Sequence, residues 1–169
     1  MNLFDVYPLY EVTPVKARDV YVYDQNEEEY LDLYGGHAVI SIGHSHPHFV
    51  RKISSQLNRI AFYSNAVQNP LQKQLASSIG EQSCLHEYEL FLCSTGAEAI
   101  ENALNLSSFH TQRKKVIAFH GAFHGRTSAA VAVTDNATIN APLNSQHQVT
   151  FLPFNDTKAL EKELATGDY

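Results

Sequence analysis

Three short apolar runs fall at 88–93 (YELFLC), 114–119 (KKVIAF) and 148–154 (QVTFLPF), and segments of helical character separate them. This alternation constrains the fold more than any other feature of the chain. Runs with apolar residues at successive positions read as strands covered on both faces rather than one. Strands linked through helices run parallel, because a two-residue hairpin cannot join parallel neighbours. The expectation from Pro70 onward is therefore an α/β, doubly wound parallel sheet. Its helices are predicted at PLQKQLASSIGEQ, with Pro70 in the first turn, from Gly96 to about Phe109, and at DTKALEKELATG, with Asp156 as cap and Gly167 as stop. The stretch GAFHGRTSAAVAVT is predicted as a loop entering a helical or mixed segment.

The first third reads differently. DVYVYD alternates polar and apolar residues, as a half-buried strand does. NEEEYLDLYGG reads as a turn, a short strand and a Gly-Gly bend. After Pro47 the spacing becomes helical, with Phe49, Val50, Ile53, Leu57 and Ile60 on one face. The rhythm of the second part calls for a further strand after the last helix, and three core strands make a thin parallel sheet. The chain therefore reads as the front part of something larger.

Composition excludes several classes. The 169 residues are enough for a real core, and the net charge of −6 comes from scattered acids apart from Glu27-Glu28-Glu29, read as a solvated turn. No basic patch offers to neutralise a run of phosphates, so nucleic acid is not an expected partner. No apolar run approaches the ~20 residues that span a bilayer, so no membrane association is expected. The N-terminus lacks the pattern of a secretory signal, which points to the cytoplasm. The two cysteines, Cys84 and Cys93, form no pair motif and read as free thiols. His44, His46 and His48 cluster in GHSHPH, but Pro47 breaks their alignment and no Cys or carboxylate completes a set. No metal site is expected there.

The turn at 94–97 has two readings. Thr95-Gly96-Ala97-Glu98 fits a capping box, with Thr95 as N-cap and Glu98 three residues on. The same turn places a side-chain-free Gly96, the Ala97 amide and two hydroxyls, Ser94 and Thr95, at a helix N-terminus, where unpaired N–H groups and the dipole favour an anion. Neither the P-loop spacing nor G-x-G-x-x-G is present, so a small phosphate monoester fits better than a nucleotide. The loop HGAFHGRTSA also follows a strand, and in a doubly wound sheet it shares that edge. Phe123 can stack on a flat heteroaromatic ring or simply pack at a strand end. Arg126 can clamp a carboxylate through two parallel bonds or pair on the surface.

With these loops in view, CSTGAEAIENAL and AFHGRT resemble the class III pyridoxal-phosphate aminotransferases, in particular the N-acetylornithine, N-succinylornithine and ornithine aminotransferase group. YLDLYGGHAVISIGHSHPHFV and FYSN resemble further segments of that family in the same order. The resemblance implies a fold-type I pyridoxal-phosphate transferase, with residues 1–59 as the N-terminal part of the small domain and 60–169 as the first part of the large doubly wound, cofactor-binding domain. It implies pyridoxal 5'-phosphate held by Thr95, Gly96, Ala97, Phe123 and His124, and a substrate α-carboxylate held by Arg126. Thr95 stands where the family more often has Ser. Gln68 stands where relatives often carry Tyr. His37 replaces a variable residue lining the substrate pocket, and is a candidate substrate contact or a packed histidine. The implied reaction moves the ω-amino group of N-acylornithine or ornithine to 2-oxoglutarate, in arginine biosynthesis, in a homodimer. The family's Schiff-base lysine is expected beyond residue 169, so no catalytic residue is assigned within the chain. The contrasting expectation is an inactive truncated aminotransferase fragment.

Overall fold

Locally encoded elements appear where cap and turn residues demand them, and elements that need a distant partner do not all appear. The computed structural model describes residues 1–4 and 6–169. It divides into two compact units, Met1–Gln72 and Lys73–Tyr169.

In the first unit, β1 (Pro14–Arg18), β2 (Tyr21–Asp24) and β3 (Glu29–Leu31) form an antiparallel meander in that order. The β2–β3 turn is organised by Asp24, which is buried. Its carboxylate accepts the amides of Asn26 (2.8 Å) and Glu28 (3.0 Å). Glu27 sits there at φ 64, which places the acidic run at the turn and the start of β3. β1 has no counterpart among the strands predicted from sequence.

Beyond β3 the chain enters a single turn, α1 (Gly35–Ala38), in which Gly35, Gly36, His37 and Ala38 take φ of 59, 55, 60 and 61. Two glycines adopt this left-handed region freely, but His37 and Ala38 bear its steric cost. Asp32 holds the entry by accepting the amides of Tyr34 (2.9 Å) and Gly35 (2.8 Å), and it pairs with His44 Nε2 at 2.7 Å. His44 also exchanges backbone bonds with Asp19. The GHSHPH histidine at 44 is thus a tie between the loop and the sheet. α2 (Pro47–Leu57) begins at Pro47 as predicted and ends before Ile60.

In chain order there follow α3 (Pro70–Ser83), α4 (Gly96–Thr111), β4 (Lys115–Phe119), α5 (Ser128–Ala132), a short 3₁₀ turn at Pro142–Asn144, β5 (Gln148–Leu152) and α6 (Thr157–Leu164). β4 and β5 pair in parallel and in register from Lys115↔Gln148 to Phe119↔Leu152. The parallel α/β expectation holds for these two strands. The run at 88–93 does not: it lies outside every strand, and Phe91 is 66% exposed. A strand needs a neighbour to take its N–H and C=O groups, and among the described residues 88–93 has no ladder partner. The core of this unit is Ala118, 129–133 and Leu152. α5 is apolar on every side after its serine, and it is buried accordingly. Asp156 caps α6 through Ala159 N–H at 3.0 Å, and Gly167 follows its end at φ 75.

Candidate functional site

The N-terminus of α4 contains the complete capping box. The Thr95 hydroxyl accepts Glu98 N–H at 3.1 Å, and the Glu98 carboxylate takes the amides of Ser94 (2.8 Å) and Thr95 (3.0 Å). The box does not use up the turn. The amides of Gly96 and Ala97 have no acceptor among the described residues, and a Cβ placed on Gly96 would meet no atom within 4 Å. The Thr95 hydroxyl also donates to the Glu98 carboxylate at 3.5 Å, a long bond that an incoming oxygen can replace. Two unbonded N–H groups with an open approach at a helix N-terminus, beside a hydroxyl whose own bond is long, suit an anion of phosphate size. The capping reading is met in full, and it leaves unbonded the two amides that the anion reading needs.

The second loop packs on the first. At Gly125 the backbone lies at φ 129, and a Cβ there would stand 2.5 Å from Ala97 Cβ and 2.9 Å from Ala97 Cα. Only glycine permits that approach. Thr127 Oγ1 donates to Glu101 at 2.7 Å and reaches the Ala97 carbonyl at 3.4 Å. Gly96, Ala97 and the 123–127 segment are thus neighbours at one end of α4. Phe123 keeps 63% of its surface exposed, so its ring is presented rather than packed away. His124 is half-buried and Arg126 is exposed. His37 lies in the first unit, where its ring meets Tyr34 edge-on at 4.8 Å and its Nδ1 bonds the Tyr34 hydroxyl.

Three residues that sequence reasoning did not single out support this arrangement. Glu101, from the second turn of α4, accepts the amides of Ala129 (2.9 Å) and Ala130 (3.1 Å) as well as the Thr127 hydroxyl. It caps α5 from another helix. Burial alone raises its carboxyl, yet the Thr127 hydroxyl and the two amides outweigh burial and leave it below its ordinary value. Thr134 is buried and bonds the loop at His124 and Gly125. Asp135 accepts Gly121 N–H at 2.8 Å and meets His120 Nδ1 at 3.2 Å; these two bonds, Gly121 first, hold its carboxyl below the usual range. A signal for Glu101 exists in hindsight: it is one turn beyond a capped N-terminus, on a helix expected at the same sheet edge as the Phe123 loop.

The second unit is of α/β class, and its two loops meet at one end of α4. The chain belongs to the family Aminotransferase class-III, which it matches over residues 6–167. It is 36% identical over 162 residues to the acetylornithine aminotransferase of Archaeoglobus fulgidus, an alignment covering 95% of this chain and 43% of that protein. Among solved structures, the ornithine aminotransferase of Toxoplasma gondii superposes with a TM-score of 0.86 at 23% identity, over 98% of this chain and 41% of that one. The taurine:2-oxoglutarate aminotransferase of Bifidobacterium kashiwanohense, in complex with PLP and glutamate, gives 0.81 at 19% identity, over 99% and 42%. The fold is that of the fold-type I pyridoxal-phosphate transferases. The chain spans under half the length of these three relatives. No helix among the described residues is long and apolar enough to cross a membrane.

Proposed function

We propose that this chain holds pyridoxal 5'-phosphate for an aminotransferase acting on N-acylornithine or ornithine with 2-oxoglutarate. One observation carries the reading: Gly125 seats the Phe123 loop directly on Ala97, beside two unbonded helix amides. In this reading the Gly96 and Ala97 amides and the Thr95 hydroxyl hold the phosphate, Phe123 lies against the pyridine ring, and His124 lines the same wall. Arg126 holds the substrate α-carboxylate through its planar pair of donors. Bound there, the cofactor supplies the electron sink for amino-group transfer. The chain's own residues bind and orient, and we assign a covalent role to none of its lysines.

The acylornithine substrate class is supported by the name of the Archaeoglobus relative, and the free-ornithine class by that of the Toxoplasma one. His37, next to the Gly-Gly bend, is proposed as a contact to the acyl or amino end of the substrate. The same reading assigns 1–59 to the small domain and 60–169 to the large one, in a cytoplasmic homodimer serving arginine biosynthesis.

Binding measurements test it. Pyridoxal phosphate is predicted to bind the chain at least about tenfold more tightly than pyridoxal, since the lost contacts are charge-assisted bonds to helix amides. Arg126→Lys is predicted to leave that affinity unchanged, and to weaken glutamate binding in the complete enzyme by about 1–3 kcal/mol. Equal affinity for pyridoxal and its phosphate refutes the cofactor assignment.

A further inference from the structure

Phe123 sits in a segment with no regular structure, yet the peptide groups on both sides of it are fixed. On one side the Ala122 carbonyl accepts Asp135 N–H at 2.9 Å. On the other, His124 N–H donates to Thr134 Oγ1 at 2.9 Å. The Thr134 hydroxyl also reaches the carbonyls of Ala130 (2.9 Å) and Gly125 (3.3 Å), and the residue is only 4% exposed. A single hydroxyl thus joins the end of α5 to the residues at 124 and 125, the second of which packs on Ala97. The Asp135 carboxylate closes the base of the loop through Gly121 and His120. The backbone is held from two consecutive residues while the Phe123 ring stays in solvent.

From this geometry we infer that Thr134 is a positioning residue: its hydroxyl sets the place of the Phe123 ring relative to the Gly96–Ala97 turn. The inference deepens the cofactor reading and rests on it for its ligand. A ring presented on a fixed backbone pays little ordering cost when a flat ligand arrives, and one on a loose loop pays it at binding. The phosphate turn keeps its own capping box and does not depend on Thr134. Loss of the hydroxyl therefore weakens a ligand that carries both ring and phosphate, and spares one that carries phosphate alone.

Two measurements on the chain test this. Without ligand, amide hydrogen exchange at His124 is predicted to speed up by about tenfold or more in Thr134→Val and to stay near wild type in Thr134→Ser, which keeps the hydroxyl. With ligand, pyridoxal phosphate affinity is predicted to fall about tenfold in Thr134→Val, inorganic phosphate affinity to stay within about twofold, and Thr134→Ser to recover the wild-type values. Should Thr134→Val not fold, Thr134→Ala, which removes the same hydroxyl without a second methyl beside the His124 amide, carries the same comparison in the same direction. Unchanged exchange, equal loss of both ligands, or no recovery in the serine variant overturns the inference. Failure of the wild-type chain to prefer pyridoxal phosphate over inorganic phosphate overturns the cofactor reading instead, and the exchange result then decides the brace alone.

Discussion

The Thr95 hydroxyl closes the cap of α4, and Gly125 makes room that any side chain would fill. The Thr95 hydroxyl accepts the Glu98 amide at 3.1 Å and donates to the Glu98 carboxylate at 3.5 Å, and the longer of the two bonds is the one an anion can replace. Gly125 is the stricter case. We predict that Gly125→Ala destabilises the chain by about 1–3 kcal/mol in chemical denaturation, because the new Cβ would stand 2.5 Å from Ala97 Cβ. Adding Ala97→Gly is expected to recover only part of the loss, since Ala97 Cα remains at 2.9 Å and φ 129 still disfavours a side chain. No loss at all in Gly125→Ala, or no recovery on adding Ala97→Gly, would show that the two loops do not press on each other. At this scale the turn at 94–98 was legible from sequence, because a capping box is written within four residues. Gly125 carries no such local signal, because the atom it makes room for is far away in the chain. Thr134 and Asp135 went unnoticed for the same reason.

At the scale of elements, α4 organises the site through both of its first two turns. Glu98 closes its own N-terminus, and Glu101 closes that of α5, so α5 begins where α4 tells it to. The pH dependence follows. Glu101 has a lowered folded-state value, so its stabilisation is complete above the ordinary carboxyl value of 4.5 and is lost as pH falls through the lowered one. We predict that Glu101→Gln costs about 1–2 kcal/mol at neutral pH and makes stability less sensitive to acid below that range. Parallel acid-unfolding curves for the two proteins would count against Glu101 as the cap. The helices and the strands β4 and β5 were readable because caps, prolines and apolar runs are local signals. The run at 88–93 carries the same signal as those strands and is not one, since pairing depends on residues elsewhere. β1, PVKAR, has the converse history: too polar to read as a strand, it forms because β2 offers it a ladder.

At the scale of the whole molecule, apolar residues read from sequence as helix faces remain substantially open. Phe49 and Leu57 on α2 are 55% and 58% exposed, although their spacing marks one face. Periodicity states which residues share a face, and it cannot state what covers them. The family was legible to a different depth. The family shows in four short motifs, while the joining of two of them into one site depends on the contact at Ala97 and on the Glu101 cap. The most direct measurement of that joined site is a backbone-amide and aromatic nuclear-magnetic-resonance titration of the chain with pyridoxal 5'-phosphate and, separately, with inorganic phosphate. We predict that inorganic phosphate shifts the Gly96 and Ala97 amides and leaves the Phe123 ring resonances in place, and that pyridoxal phosphate shifts both sets with one affinity. Shifts at Phe123 without shifts at Gly96 and Ala97, or two sets that titrate with different affinities, would contradict a single site built from α4 and the Phe123 loop.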